Sequence, residues 1–141
     1  MKLRINIKKL NQEAKIPIYA SEEAAGCDFY SNEDLVLKPN ETKIVGTGIA
    51  IELPKATCMQ MWDRSGLGVK GIHRYAGLID SDYRGEIKIV LHNSSNQDLE
   101  IKKHERIAQG VILSHFQAEF VEDKINETKR GENGFHSTGK D

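Results

Sequence analysis

The sequence predicts an all-β fold, a sandwich or a barrel, and three observations support this prediction. Apolar side chains alternate with polar ones in several segments, as they do in half-buried strands. Clusters of turn residues recur about every ten residues, a spacing typical of all-β sandwiches and barrels. Only Ser21–Ala25 and the stretch after Arg64 have a pattern compatible with a helical turn. The length of 141 residues suits one domain with a sizeable core.

The strands are predicted in order from the N-terminus. The first alternates apolar and charged residues, the second is interrupted by Pro17, and the third is jointed at Gly46 and Gly48. From Asp123 the apolar periodicity is lost, which predicts a mobile tail. We therefore expect a β domain over residues 1–122 and a flexible C-terminal arm over residues 123–141. The predicted strands cover residues 3–7, 16–19, 42–53, 57–62, 85–93 and 110–121.

The composition limits the classes of function. A net charge of −1, with acids and bases in balance, does not indicate a surface that binds nucleic acid. No apolar run is long enough to span a bilayer, and Met1–Asn6 lacks the apolar core of a secretion signal. Cys27 and Cys58 are too few for a disulfide framework and are expected to be buried small apolar residues. We expect a cytoplasmic protein without nucleic-acid or membrane partners.

The segment Gly77–Glu86 concentrates two carboxylates, a tyrosine and an arginine between two glycines. Leu78 and Ile79 precede the polar residues and an alternating apolar pattern follows them, which predicts a β-hairpin. In an extended arm Asp80 and Asp82 would share one face. Ordinary turn chemistry explains most such clusters, so both a turn and a catalytic loop remain open from these residues alone.

Two further segments could bind an anion. Arg64–Gly71 follows a predicted strand and combines a serine, glycines and cations, so its backbone N–H groups could approach a phosphate. In the tail, Arg130 offers a bidentate fork and Phe135 a stacking face. The tail also resembles a Walker A loop, but Asp141 stands where Ser or Thr must bind magnesium, so this resemblance is a decoy. A soluble end without function is the alternative.

Five segments together are more specific than any one of them. In order along the chain they are Ala25–Phe29, Arg64–Leu67, Gly77–Gly85, Glu105–Gln109 and Arg130–Gly139. They resemble the five motifs of the trimeric dUTP pyrophosphatase (dUTPase) family, in the family's order and over nearly the whole chain. The departures are few: Asp63 stands where proline is common, and Asn133 and His136 replace glycines.

The resemblance implies a jelly-roll-like β fold, a homotrimer with active sites at subunit interfaces, and Mg²⁺-dependent hydrolysis of dUTP to dUMP and pyrophosphate. It implies that Asp80 deprotonates the attacking water and that Arg130 closes on the phosphates. Asp28 would hold the metal through water. Tyr83 would pack on the deoxyribose and Phe135 would cover the uracil. The implied substrate-binding residues are Arg64, Ser65, Gly66, Gly77, Ile79, Tyr83, Gln109, Phe135, Ser137, Thr138 and Gly139.

Three alternatives compete with this interpretation. A dCTP deaminase shares the implied fold and would release ammonia, with Glu86 as its proton shuttle. A non-catalytic nucleotide-binding module would keep the fold, although Asp80, Gln109 and Arg130 are all present. A purely structural jelly-roll protein would leave the glycine-rich tail unexplained.

Overall fold

The computed structural model describes residues 3–134. Within this range the chain forms twelve β-strands and one four-residue helix, α1 (Ser65–Gly68), so the all-β prediction is confirmed. The strands are β1 (Asn6–Lys9), β2 (Ile18–Tyr19), β3 (Cys27–Tyr30), β4 (Leu35–Leu37), β5 (Thr42–Gly46), β6 (Ile49–Glu52), β7 (Thr57–Trp62), β8 (Ile72–Tyr75), β9 (Leu78–Ile79), β10 (Lys88–Asn93), β11 (Leu99–Ile101) and β12 (Arg106–Ser114).

The strands form four antiparallel sheets among the described residues. The largest has the order β2-β3-β12-β7-β9, and a second has the order β5-β10-β8. Two-stranded sheets join β1 to β6 and β4 to β11. Strands that are distant in sequence are neighbours in space, which agrees with the jelly-roll-like expectation. Over the same residues, no helix has both the length and the hydropathy needed to cross a bilayer.

One hydrophobic cluster draws side chains from all four sheets. In β10 the alternate residues Ile89, Leu91 and Asn93 are buried while Lys88 is exposed, as the period-two geometry of a strand requires. Cys27 and Cys58 are both buried and unpaired, which confirms their prediction as small apolar core residues. The largest fully buried apolar side chains are those of Phe29, Leu37, Val45, Ile49, Met61, Ile72, Ile87, Ile89, Leu91, Ile101 and Ile107.

The hairpin predicted over Gly77–Glu86 is wrong. β9 pairs with β7, whereas β10 pairs with β5 and β8, so the loop between them crosses from one sheet to another. The cause lies at Gly77, whose φ is +104° and whose carbonyl accepts the Met61 N–H at 2.8 Å. A Cβ at Gly77 would lie 2.9 Å from the Cβ of Met61, so only glycine allows this approach to β7.

Most predicted strand bounds differ from the observed ones, and β3, β4, β8 and β11 lie outside the predicted strands. Two of the differences have a visible cause. The segment predicted as one strand over residues 42–53 is two strands with different partners, and they are separated at Gly48, whose φ is +69°. The last strand ends at Ser114, opposite Thr57, because β7 provides no partner beyond that pair. Phe116, which follows the end of the strand, is fully exposed.

Candidate active site

A cleft of about 570 Å³ lies where β3, β7 and β12 run side by side. In the pairing register Gln109 of β12 stands opposite Asp28 of β3 and opposite Trp62 of β7. Residues directly opposite each other project from the same face of a sheet, so the three side chains form one row across three strands. We call this cleft, which Arg64, Ser65, Gly66 and Arg106 also line, the Asp28 cleft.

The charges in the Asp28 cleft are concentrated around one buried carboxylate. Asp28 is 9% exposed, and its two oxygens lie 3.3 Å from Arg64 Nε and 3.3 Å from Arg106 Nη1. Two guanidinium groups beside one carboxylate leave donors available for an additional anion. Burial, followed by the charge of Asp28, raises the pKa of the neighbouring Tyr30 hydroxyl, which therefore stays neutral.

The helix α1 begins at the rim of this cleft, so the helical turn predicted after Arg64 is confirmed. The first N–H groups of a helix have no intrahelical acceptor, and those of Ser65 and Gly66 are in this position. A Cβ added at Gly66 would meet nothing within 4 Å, so the space above this backbone is open to a ligand. Arg64 precedes the helix and donates from Nη1 to the Arg106 carbonyl at 3.3 Å.

The sequence interpretation did not assign Arg106 to the site. Residues three apart on a regular strand project from opposite faces, so Arg106 and Gln109 would normally point apart. The pairing of β12 with β3 shifts register between Arg106 and Ala108. This bulge brings both side chains into one cleft. The only feature of the sequence that could have indicated a role for Arg106 is its place in the fourth motif, close to Gln109.

A second cleft, of about 210 Å³, lies beside the loop that follows β9. Its lining includes Ile79, the exposed Asp80 and Tyr83, and we call it the Asp80 cleft. Tyr83 donates its hydroxyl hydrogen to the Glu86 carbonyl at 2.9 Å. The ring passes so close to Gly85 that a Cβ there would lie 2.4 Å from the tyrosine Oη. Gly85 therefore allows the ring to take this position.

Eight of the predicted site residues divide between the two clefts, which share no lining residue. Gly77 lines neither cleft and instead shapes the turn into β9. The Asp28 cleft contains Asp28, Arg64, Ser65, Gly66 and Gln109. The Asp80 cleft contains Ile79, Asp80 and Tyr83.

The arm is not brought to either cleft as far as it is described. Arg130 is exposed, and its Nε donates to the Asn133 carbonyl at 3.0 Å. Gly131, with φ +50°, donates its N–H to the Thr128 carbonyl at 3.0 Å, so these residues form a local turn. The remaining predicted arm residues, Phe135, Ser137, Thr138 and Gly139, lie outside the described residues.

Comparison with known proteins gives a consistent result. The family model described as dUTPase matches residues 12–139. The deoxyuridine 5'-triphosphate nucleotidohydrolase of Nautilia profundicola is 51% identical, with 98% of this chain and 100% of that protein covered. The protein of the same name from Clostridioides difficile is 42% identical, with 96% and 97% covered.

Solved structures agree in fold. A mutant dUTPase of Staphylococcus bacteriophage 80alpha with dUpNHpp superposes with a TM-score of 0.90 at 27% identity, covering 98% of this chain and 99% of that one. A mutant dUTPase from phage phi11 of S. aureus, in which a structural Mg(II) ion is coordinated, has a TM-score of 0.83 at 22% identity, with 89% and 100% covered. The family model and the relatives each span nearly the whole chain, and on that evidence the chain belongs to the dUTPase family.

Proposed function

We infer that the chain is a dUTP diphosphatase, which hydrolyses dUTP to dUMP and pyrophosphate. The observation that carries this inference is the convergence of three family motifs, distant in sequence, on the Asp28 cleft. The reaction removes dUTP and supplies dUMP for thymidylate synthesis. Two unpaired buried cysteines suit a reducing compartment, and we propose the cytoplasm.

The Asp28 cleft would hold the phosphates. A triphosphate carries concentrated negative charge, so its hydrolysis depends on positioned donors and cations rather than on covalent chemistry. Arg64 supplies a guanidinium, and Ser65 and Gly66 supply backbone N–H groups that have no intrahelical acceptor. The amide of Gln109 stands in the same row as Asp28 and would complete the set of donors.

The Asp80 cleft would hold the nucleoside and the attacking water. Asp80 carries an exposed carboxylate that can accept a proton from water as the water oxygen bonds to the α-phosphorus. The bond from the α-phosphorus to the bridging oxygen then breaks, and its electron pair leaves with pyrophosphate. The ring of Tyr83, anchored on Glu86, would press against C2′ of the sugar and exclude a 2′-hydroxyl.

Mg²⁺ is the proposed metal, and the residues present fit it. Residues 3–134 contain no group of three or more His, Cys, Asp or Glu side chains that could enclose an ion. A single carboxylate suits Mg²⁺, which usually keeps several waters and is held largely by substrate phosphates. Asp28 would orient those waters, and the ion would neutralise charge on the phosphates.

The chain would act as a homotrimer with shared active sites. Because the two clefts share no lining residue, a site formed between chains could combine the Asp28 cleft of one with the Asp80 cleft of another. The segment after β12 exposes large apolar side chains that a neighbouring chain could cover. The arm of residues 123–141 would close over such a site. The exposed apolar residues are Phe116, Phe120, Val121 and Ile125.

The test of the reaction uses purified protein with dUTP, dCTP, dTTP and UTP. Pyrophosphate, orthophosphate and ammonia are assayed separately. We expect pyrophosphate from dUTP, with UTP and dTTP turned over far more slowly. Orthophosphate released directly from dUTP, or ammonia released from dCTP, would refute the proposed function.

The structure provides an argument against the deaminase alternative. Glu86, its candidate proton shuttle, accepts the Gly48 N–H through Oε1 at 2.8 Å, and its Oε2 lies 3.9 Å from Lys88 Nζ. A Cβ at Gly46 would lie 2.7 Å from that same Oε1, so the carboxylate is closely packed against β5. Glu86 does line the Asp80 cleft, but a carboxylate that is engaged by a backbone N–H and lies near a lysine is less available to carry protons than the exposed Asp80.

The shared site can be tested by complementation. Chains with Asp80→Asn and chains truncated after Lys129 are each expected to be nearly inactive. If the two variants are unfolded, mixed and refolded together, some trimers will pair an intact Asp80 with an intact arm, and activity should return. Each variant refolded alone is the control. Mixed trimers that are confirmed by mass and remain inactive would exclude a site built from different chains.

A further inference from the structure

Asp63 occupies the junction between β7 and α1, and two other elements hold it there. Its carbonyl oxygen accepts the side-chain amide of Gln109 at 2.9 Å. Its Oδ1 accepts the backbone N–H of Arg74 at 2.8 Å, and its Oδ2 lies 3.1 Å from Nδ1 of His73. One residue thus ties the start of α1 to β12 through its backbone and to β8 through its side chain.

The junction needs such support because α1 cannot hold its own position. A helix of four residues lies far below the length at which helices become stable by themselves. Arg64, the residue that precedes α1, makes no side-chain capping hydrogen bond. The direction in which Arg64, Ser65 and Gly66 face the Asp28 cleft is therefore determined by contacts outside the helix.

β8 is a firm anchor for Asp63. The guanidinium of Arg74 lies over the Trp62 ring, 5.9 Å from its centroid, and Nη1 donates to the Ala76 carbonyl. Arg74 Nε also lies 3.8 Å from Asp63 Oδ1. By fixing Asp63, these contacts also orient Gln109. The hydrogen bond from Gln109 Nε2 to the Asp63 carbonyl selects one direction for the amide.

We propose that Asp63 is a positioning residue for the Asp28 cleft. It holds the backbone of Ser65 and Gly66 and the amide of Gln109 in the geometry that receives the phosphates of a nucleoside triphosphate. Proline, which is common at this position in the family, has no side-chain acceptor, so this device belongs to the aspartate of this chain. The inference rests on the proposed function and adds a residue that acts through others.

Two substitutions separate positioning from bulk. Asp63→Ala removes both side-chain contacts with β8. Asp63→Asn keeps the size and an acceptor oxygen for the Arg74 N–H, so it should rescue most of the effect. His73→Ala removes only the second contact and provides an independent variant. Asp98→Ala, at an exposed aspartate that lines neither cleft, is the matched control.

The readout compares a ligand that would occupy both clefts with a ligand that would occupy only the Asp80 cleft. Calorimetry measures the Kd of dUpNHpp, which carries phosphates, and competitive inhibition measures the Ki of deoxyuridine, which carries none. Asp63→Ala should weaken dUpNHpp about tenfold, the effect expected when hydrogen bonds that orient charged contacts are lost. The Ki of deoxyuridine should change less than about twofold, because the lost hydrogen bonds lie outside the cleft that would bind it. His73→Ala should weaken dUpNHpp about threefold, as one lost contact predicts.

Each other outcome is decisive. Wild-type affinity for dUpNHpp in both Asp63→Ala and His73→Ala would overturn the positioning role. Equal losses for dUpNHpp and deoxyuridine would also overturn it, because they would show general loosening of the fold. If Asp63→Ala does not fold, the decision rests on His73→Ala and on rescue by Asp63→Asn. Wild-type protein that releases no pyrophosphate from dUTP would instead refute the proposed function.

Discussion

Replacing Gly85 with alanine should displace the Tyr83 ring and reduce discrimination between dUTP and UTP. A Cβ at this position would lie 2.4 Å from Oη and 2.6 Å from Cζ of Tyr83. Because non-bonded carbon atoms settle at roughly 3.5–4.0 Å, the ring must move by about 1 Å or more. Tyr83 is 44% exposed, so the ring can swing outward while the backbone stays in place.

The energetic cost to the fold should be small. The displaced hydroxyl loses its hydrogen bond to the Glu86 carbonyl, which contributes about 1 kcal/mol. The catalytic effect should be larger, since a displacement of about 1 Å at a binding surface can lower kcat/KM by up to about 10²-fold. The dUTP-to-UTP ratio of kcat/KM should narrow, because the displaced ring leaves room for a 2′-hydroxyl.

The assay measures kcat/KM for both nucleotides together with the melting temperature. Gly68→Ala is the matched control, since a Cβ at Gly68 meets nothing within 4 Å and the residue lines neither cleft. This control should keep the wild-type ratio and stability. An unchanged dUTP-to-UTP ratio in Gly85→Ala would show that the position of Tyr83 does not select the sugar.

Three other perturbations have defined outcomes. Asp80→Asn should lower turnover by about two to four decades and retain binding of dUpNHpp. Asp82 lines neither cleft, so Asp82→Asn should keep wild-type turnover and is the control. A loss of turnover below about threefold in Asp80→Asn would make Asp80 a turn residue. Deleting residues 130–141 should lower turnover about 10³-fold or more at an unchanged melting temperature; a large fall in that temperature would show that the deleted residues pack as structure. Burial raises the pKa of the Cys27 thiol. Above about pH 9 the folded chain therefore retains a proton that the unfolded chain loses, so the free energy of unfolding should fall as the pH rises. Cys27→Ala should flatten this fall, and identical pH profiles of stability for the variant and the wild type would contradict the assignment.

Local patterns predicted those parts of the fold that local sequence controls. The strand over Thr57–Trp62 was predicted with correct bounds, because this short, mostly apolar run lies between Pro54 and Asp63. The helical turn after Arg64 was also correct. Pairing partners were not predictable in this way, since the pattern around Gly77–Glu86 suits a hairpin although β9 finds its partner in β7. The overlong last strand has the same origin, because Phe116 continues the apolar pattern after the partner strand has ended.

The candidate site was predicted through the family resemblance rather than through periodicity. No local rule links Asp28, Ser65 and Gln109, which lie on a strand, a helix and another strand. Arg106 was missed because a register shift decides which face it occupies, and a bulge has no clear signature in one sequence. Asp63 was noted only as a departure from the usual proline, and its role in the fold emerges from its contacts with β8 and β12.

Because β12 ends at Ser114, the length of chain between Ser114 and Arg130 determines how far Arg130 can reach from the sheet. At about 3.3 Å per residue, the chain from there to Arg130 can extend roughly 50 Å. A domain of this size has a radius of gyration of about 14 Å. The segment between Ser114 and Arg130, which we call the tether, can therefore extend further than the domain is wide. Adding or removing one residue between Phe116 and Lys129 would change the maximal reach by only about 3 Å. Delivery of Arg130 should therefore tolerate insertions and deletions in this tether, whereas the same changes inside β12 would shift the register of every residue that follows.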